Sequence, residues 1–265
     1  MFRQAERPAG FCFPAETKDE NKDIAILSED IGKGENAFWN NFALPQHNNH
    51  MKRKIIITAL AALMGFGLNA QTMPQGTRYD VLPVHRGGII FAGDSITDDC
   101  EWNELFGRDD ILNRGIDGNT SSTVLSRVNE LTRHRPDKLF LAIGTNDLPR
   151  TPLSQVMDNI SKIVETFRKE SPETKIYIQS VLPVGPRPMF MDMGNSDEKN
   201  RLIVELNALY KDFCAKNGCT YIDNHSHFLA SDGVNLNPEL GCDDLHLMGK
   251  GYLVWKKNIE KYVNE

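Results

Sequence analysis

Four short polar segments carry the residue types that acyl transfer requires, and each follows a strand-like stretch or lies in the last loop. The first reads Gly-Asp-Ser at residues 93–95 and places Ser95 just after the apolar run 89–92. The other three contain Gly115, Asn146 and the sequence Asp-Asp-Leu-His at residues 243–246. A serine hydroxyl is a weak nucleophile until a base takes its proton, so a histidine must lie within hydrogen-bond reach of Ser95.

His246 is the predicted base, with Asp243 as its partner. Asp243 lies three residues before His246, and positions i and i+3 share a face of a turn or a helix start. The carboxylate of Asp243 can therefore accept a hydrogen bond from one ring nitrogen while the other nitrogen faces Ser95. This order of nucleophile, base and orienting acid is that of a Ser-His-Asp triad. Asp244 is expected to be a solvated neighbour.

Three neutral donors could stabilise the oxyanion that forms when Ser95 attacks a carbonyl group. Ser95 is expected to open a helix, so its own N–H points outward at the positive end of the helix dipole. Gly115 follows the second predicted strand, where a missing side chain lets the backbone approach a ligand closely. Asn146 follows the third predicted strand and offers its side-chain amide. The sequence therefore predicts an oxyanion hole made of Ser95, Gly115 and Asn146.

Strand-like and helix-like segments alternate after residue 86, which predicts an α/β fold. Predicted strands cover residues 89–92, 111–113, 138–143, 175–181 and 220–223. Predicted helices cover residues 122–131, 153–170, 197–216 and 250–262, with apolar residues along one face of each. Right-handed crossovers between five strands predict a three-layer α/β/α sandwich with a flavodoxin-like parallel sheet. The carboxyl ends of such strands face one edge, so the four polar segments should meet there.

The N-terminal part of the chain predicts export. Residues 52–54 are basic and residues 55–68 are apolar, as in a secretory signal peptide. As a helix this apolar run would span about 21 Å, less than the roughly 30 Å hydrocarbon core of a membrane. We therefore predict a signal peptide at 51–70, one domain at 71–265, and a periplasmic or secreted protein without a stable membrane anchor. Residues 1–50 are interpreted as an over-extended gene start or a disordered segment.

Composition bears on the partners and on the redox setting. The chain has 265 residues, with 30 Lys and Arg against 36 Asp and Glu, a net charge of −6. It contains no long basic run, so we expect no nucleic-acid partner. Cys100 and Cys242 lie near Ser95 and His246 in the sequence. Two interpretations stay open for them: a disulfide that joins the two segments, or two small buried thiols.

The four segments resemble the sequence blocks of the SGNH/GDSL hydrolase family. The first block is similar to residues 93–95, the second to Gly115, the third to residues 144–147 and the fifth to residues 243–246. The resemblance implies the same nucleophile, base, acid and oxyanion donors as above. Ile96 stands where the family name has leucine. The longer context after Ser95 is similar to the branch of platelet-activating-factor acetylhydrolase-like and sialate O-acetylesterase-like enzymes.

The resemblance implies a hydrolase of carboxylic esters that works through an acyl-serine intermediate and needs no metal or organic cofactor. We expect a small-molecule ester as substrate, first of all an acetylated carbohydrate, because export and acidic loops disfavour anionic phospholipid headgroups. A lysophospholipase or thioesterase is the alternative, since residues 186–193 include methionines and a phenylalanine that could form an adaptable wall for an acyl chain.

Two other classes of protein stay open. A metal hydrolase could use side chains of the loops as ligands, namely Asp98, Asp99, Asp147, Asp243, Asp244, His225 and His227. That hypothesis leaves Ser95 and the proposed oxyanion donors without a role. A non-catalytic carbohydrate-binding protein could instead stack sugars on Trp102, Phe190 or Trp255, although Trp255 fits the apolar face of the last predicted helix.

Overall fold

A parallel five-stranded sheet forms the centre of the computed structural model, which describes residues 77–187 and 196–265. Its strands are β1 Ile89–Gly93, β2 Ile111–Gly115, β3 Lys138–Ala142, β4 Lys175–Gln179 and β5 Thr220–Ile222. They lie in the order β2-β1-β3-β4-β5, and every neighbouring pair is parallel. This is the flavodoxin-like order, so the predicted α/β fold is confirmed.

Helices connect the strands. They are α1 Thr77–Asp80, α2 Ser95–Asp98, α3 Trp102–Phe106, α4 Ser121–Ser126, α5 Val128–Thr132, α6 Leu153–Glu170, α7 Ser196–Asn217 and α8 Gly249–Asn264, with a 3-10 turn at His225–His227. Within the described ranges, none of these helices combines the length and the apolar character that crossing a membrane requires.

The central strands are apolar because both of their faces are covered. Every residue of β1 is buried. Phe140 stacks on Phe91 at a centroid distance of 4.8 Å and on Tyr177 at 4.6 Å, which joins three adjacent strands. Trp102 stacks on Phe91 at 4.3 Å and meets Trp255 edge to face at 5.2 Å. These aromatic contacts fix α3 and α8 against the sheet, close to the end of β1.

All five predicted strands are present, and α6 has the predicted bounds. The helix predicted at residues 122–131 is wrong, because α4 and α5 meet at Arg127, whose φ of −111° and ψ of 14° are not helical. The Arg127 side chain instead donates to the backbone carbonyl of Arg114. Hydrophobic periodicity reports only the buried face of a helix, so it cannot reveal such a break.

The carboxyl ends of β2, β1 and β3 lie side by side. Gly93 is in register with Gly115 on one side and with Ala142 on the other. The loops that follow these residues therefore leave the sheet at one edge. A Cβ atom on Gly93 would lie 2.3 Å from the carbonyl oxygen of Ala142 and 2.2 Å from Oγ1 of Thr97. Only glycine therefore fits at this close approach.

Some predictions fall outside the described residues. These are the segment 1–50, the signal peptide at 51–70, the domain start at 71, and residues 188–193 of the predicted apolar wall, which include Phe190. They stay predictions.

Candidate active site

Ser95 is the first residue of α2, immediately after β1 and its cap Asp94. Oδ1 of Asp94 accepts the N–H of Ile96 at 3.1 Å, so Asp94 braces the turn. Burial raises the pKa of Asp94 to about 7. As the first residue of a helix, Ser95 has an N–H without an intrahelical acceptor. The local sequence thus places both the Ser95 hydroxyl and its N–H at the end of the central strand.

His246 joins Ser95 to Asp243 through its two ring nitrogens. Nε2 of His246 lies 2.9 Å from Oγ of Ser95, and Nδ1 lies 2.6 Å from Oδ2 of Asp243. The other carboxylate oxygen, Oδ1, accepts the backbone N–H groups of His246 at 2.6 Å and of Leu245 at 3.0 Å. The tight turn that these bonds form explains why a spacing of three residues brings the carboxylate to the ring.

The electrostatics of this pair favour a charged acid and a basic imidazole. Burial alone would raise the pKa of Asp243, but the hydrogen bonds from His246 and Leu245 lower it overall. Burial alone would lower the pKa of His246, but the hydrogen bond and the charge of Asp243 raise it above its usual value. The arrangement therefore strengthens His246 as a proton acceptor that faces Ser95.

Asp244 is a structural part of the same turn rather than the solvated residue that we expected. Its φ of 62° is left-handed, and its carbonyl oxygen accepts the N–H of Gly185 at 2.7 Å. Its Oδ2 accepts the N–H of Arg187 at 2.9 Å. Asp244 thereby attaches the turn that carries His246 to the segment that follows β4. These partners are distant in sequence, so spacing along the chain could not reveal them.

Gly115 lies at the predicted edge, but its N–H already has an acceptor. It donates to Oδ1 of Asn113 at 2.8 Å. The amide nitrogen of Asn113 in turn donates to the carbonyl oxygens of Thr97, Asp98 and Cys100 at 3.0, 3.0 and 2.9 Å. A Cβ atom on Gly115 would lie 2.2 Å from the backbone nitrogen of Asp98. Gly115 therefore allows the loop after Ser95 to pack closely against β2, and Asn113 holds it there.

Gly118 lies in the loop after β2, three residues beyond Gly115, and the sequence pattern did not indicate it. Its φ is 68°, and no atom lies within 4 Å of the position that a Cβ would take. Among the described residues, its N–H has no hydrogen-bond acceptor. Nδ2 of Asn146 donates to the carbonyl oxygen of Asn119, the next residue, at 3.0 Å. Gly118 and Asn146 thus lie on directly connected segments.

Two buried charged residues fix the loop that carries Asn146. Asp147 accepts hydrogen bonds from the N–H of Ser121 at 2.8 Å and from its hydroxyl at 2.6 Å. Lys199, which is 0 % exposed, donates to the carbonyl oxygens of Thr145 at 2.8 Å and Leu148 at 3.2 Å. Burial lowers the pKa of Lys199 to about 8. Lysines in helices are usually exposed to solvent, and the partners of Lys199 lie more than 50 residues away, so spacing along the chain does not reveal this contact.

The structure bears on several of the open alternatives. Trp102 and Trp255 are core residues, 0 % and 2 % exposed, so they are not available to stack on a sugar. Cys100 is a free buried thiol and Cys242 is not among the free cysteines, so neither the Cys100–Cys242 disulfide nor the pair of buried thiols is present. In residues 77–187 and 196–265, no group of three or more His, Cys, Asp or Glu residues is placed to hold a metal ion.

Comparison with known proteins identifies the family of this chain. The model of the GDSL-like Lipase/Acylhydrolase family matches residues 91–254. The human platelet-activating factor acetylhydrolase IB subunit alpha2 is 30% identical over 174 residues, which are 62% of this chain and 70% of that protein. The match of the family model includes Ser95, Asn146 and His246.

Solved structures show the same fold. A Streptococcus pneumonia protein named after platelet activating factor has a TM-score of 0.64 and 28% identity, covering 78% of this chain and 99% of that one. An acetylxylan esterase from Geobacillus stearothermophilus has a TM-score of 0.54 and 15% identity, covering 69% and 96%. The chain therefore belongs to the GDSL-like lipase/acylhydrolase family, the SGNH/GDSL hydrolases, whose members hydrolyse esters.

Proposed function

We propose that this protein is an exported serine esterase that releases acetyl groups from carbohydrates. Ser95 is the nucleophile, His246 the general base and Asp243 the acid that orients the imidazole. The observation that carries the proposal is the hydrogen-bonded chain from Oγ of Ser95 through His246 to Asp243, at 2.9 and 2.6 Å. This is the contact pattern that activates a serine hydroxyl in unrelated hydrolases.

The reaction has two steps. Nε2 of His246 takes the hydroxyl proton as Oγ of Ser95 attacks the ester carbonyl, and the protonated imidazole then gives this proton to the departing alcohol. An acyl-serine remains. In the second step His246 takes a proton from water, the hydroxide attacks the acyl-serine, and the acid leaves as Ser95 is protonated again. Asp243 stays ionised and stabilises the imidazolium in both steps.

The oxyanion donors in this proposal are the N–H of Ser95, the side-chain amide of Asn146 and the N–H of Gly118. Gly118 replaces Gly115, because the Gly115 N–H is already bound by Asn113. Phosphonate modification of Ser95 mimics the tetrahedral intermediate, so it should shift the amide ¹⁵N resonance of Gly118 more than that of Gly115. A larger shift at Gly115 would restore the assignment made from the sequence.

Replacing Asn146 with alanine is expected to lower kcat for p-nitrophenyl acetate by about 10²- to 10³-fold, the usual effect of losing one oxyanion donor. KM should change little, because the amide binds the transition state more strongly than the substrate. Asn146→Asp keeps the shape of the side chain but has no N–H group, so its kcat should fall at least as far. An Asn146→Ala enzyme with wild-type kcat would remove Asn146 from the oxyanion hole.

Two observations favour a small acyl group on a neutral alcohol. The human relative is by its name an acetylhydrolase, and the acetylxylan esterase, which shares only the fold, is by its name an esterase of an acetylated polysaccharide. Acidic residues surround the site. Burial is the main cause of the raised pKa of Asp99, and the charges of Asp117, Asp98 and Asp243 add to it. An anionic headgroup would meet this negative charge, whereas a neutral sugar would not.

The test compares p-nitrophenyl acetate, butyrate and octanoate, and then acetylated oligosaccharides. We expect kcat/KM to fall as the acyl chain lengthens and acetate to be released from the acetylated sugars. A clear preference for octanoate would overturn the acetylesterase proposal in favour of a lysophospholipase or thioesterase. Failure of a fluorophosphonate to label the folded protein would favour a non-catalytic binding protein. Export is tested by sequencing the mature N-terminus, which we expect at about Gln71.

A further inference from the structure

Arg127 occupies the break between α4 and α5, where the sequence pattern predicts a continuous helix. Its φ of −111° departs from the helical value, and only 5 % of the residue is exposed. A surface arginine on a helix would keep its charge in water. This side chain instead turns toward the carboxyl ends of the strands. A buried guanidinium is costly unless hydrogen bonds and an opposite charge compensate it, so its contacts require an explanation.

The guanidinium of Arg127 binds to groups at the edges of the site. Nη2 donates to the carbonyl oxygen of Arg114 at 2.8 Å and reaches that of Gly93 at 3.5 Å. Gly93 ends β1, two residues before Ser95, and Arg114 is the next-to-last residue of β2. Nε donates to Oδ1 of Asn119 at 3.0 Å. One planar group therefore connects the ends of two strands with the loop that contains Gly118.

Asn119 passes this connection on to Asn146. Its side chain accepts from Arg127, and its backbone carbonyl accepts Nδ2 of Asn146 at 3.0 Å. That second bond occupies one N–H of the Asn146 amide, and the other N–H is the one that donates to the oxyanion in the proposed mechanism. A shift of Asn119 would rotate the amide, and a misplacement of about 1 Å can cost a rate factor of about 10². We infer that Arg127 is a positioning residue for the oxyanion hole, acting on Asn146 through Asn119.

The chemistry of arginine suits this role. Its rigid fork presents several N–H groups in one plane, so it can hold Asn119 and a strand carbonyl together, which a lysine ammonium on a flexible stem does less well. Glu130 supplies the opposite charge, with Oε2 4.0 Å from Nη1 of Arg127. Glu130 also binds Arg114, whose Nε lies 3.0 Å from Oε1. Glu130 therefore compensates the charge of Arg127, and Glu130 itself contacts neither Asn119 nor Asn146.

The test is a double-mutant cycle with p-nitrophenyl acetate, using Arg127→Met, Asn146→Ala and the double variant. Arg127→Met should lower kcat by about 10- to 100-fold with little change in KM. In the Asn146→Ala background the same substitution should lower kcat by less than about threefold, because the donor that Arg127 positions is gone. A merely structural role would give multiplicative losses instead, and that result would overturn the inference.

Arg114→Met is the matched control. Arg114 has the same 5 % exposure as Arg127 and pairs with the same Glu130. It should lower Tm to a similar extent but change kcat by less than about threefold. An equal kcat loss in both variants would overturn the inference. If Arg127→Met does not fold, Arg127→Lys takes its place in the cycle, with a smaller loss of kcat that again disappears beside Asn146→Ala.

This inference rests on the proposed acyl-serine mechanism and is independent of the alcohol that is released. The wild-type enzyme separates the two failures. A wild-type protein that neither turns over p-nitrophenyl acetate nor reacts with a fluorophosphonate overturns the mechanism and the inference together. An active wild-type enzyme with multiplicative losses overturns the role of Arg127 alone.

Discussion

Replacing Ser95 with alanine is expected to lower kcat for p-nitrophenyl acetate by about 10⁶-fold, as removal of the nucleophile does in other serine hydrolases. The reason is that Oγ of Ser95 forms the covalent bond to the acyl group, and no neighbouring group replaces it. KM and the melting temperature should change little, because the hydroxyl is small and its bond to His246 is the contact that is lost. Steady-state kinetics and thermal unfolding measure both expectations.

Ser126→Ala provides the control for this experiment. The Ser126 hydroxyl is exposed at the end of α4 and donates only to the carbonyl oxygen of Thr123, at 2.7 Å. The control should retain wild-type kcat. If Ser95→Ala kept more than about a hundredth of the wild-type kcat, the acyl-serine mechanism would be refuted.

Asp243→Asn should have the second largest effect, a loss of about 10⁴-fold in kcat. The asparagine keeps the shape of the side chain but removes the charge that stabilises the imidazolium. It also offers an N–H₂ group that can force the other tautomer, with the proton of His246 on the nitrogen that faces Ser95. In that tautomer Nε2 cannot accept the hydroxyl proton.

The pH profile tests the same pair. His246 must be neutral to act as a base, so kcat/KM should rise with pH through the pKa of His246, which lies above the usual 6.5. Removing the Asp243 charge leaves burial as the main influence, and burial favours the neutral ring. The acid limb of the profile should therefore move to lower pH in Asp243→Asn.

Asp94→Asn is the comparison for the pH profile. Asp94 has a pKa of about 7, close to the range in which His246 titrates. It raises the pKa of His246 less than Asp243 does. Its replacement should move the acid limb less than Asp243→Asn does. A larger shift in Asp94→Asn would mean that Asp94, and not His246, controls the limb.

Local patterns in the sequence predicted the sheet and the long helices. The strand at β1 is an unbroken apolar run, and α6 repeats its apolar residues with a helical period, so each element needs only its own residues to be recognised. The contact between His246 and Asp243 is local as well, because the two residues lie three positions apart in one tight turn. That the turn with His246 would lie close to Ser95 followed from the predicted fold, because the loops after parallel strands lie at one edge of the sheet.

Contacts between segments that are distant along the chain could not be predicted from the sequence. Arg127 breaks a helix to reach strand carbonyl groups, and Lys199 is buried because it meets the loop after β3. The Gly115 N–H is bound by the side chain of Asn113, which only the three-dimensional arrangement shows. In each case the partner of a polar group depends on tertiary packing and not on spacing along the chain. The sequence pattern pointed to Gly115, and only the structure shows that the N–H of Gly118, three residues later, has no acceptor among the described residues.

The most direct measurement is to trap the acyl-enzyme with a slowly hydrolysed acetyl ester and to map the modified peptide by mass spectrometry. The mechanism predicts an acetyl group on Ser95 and no acetyl group at this position in His246→Ala under the same conditions. Acetylation of a different residue that correlates with turnover, or turnover that persists in Ser95→Ala, would contradict it.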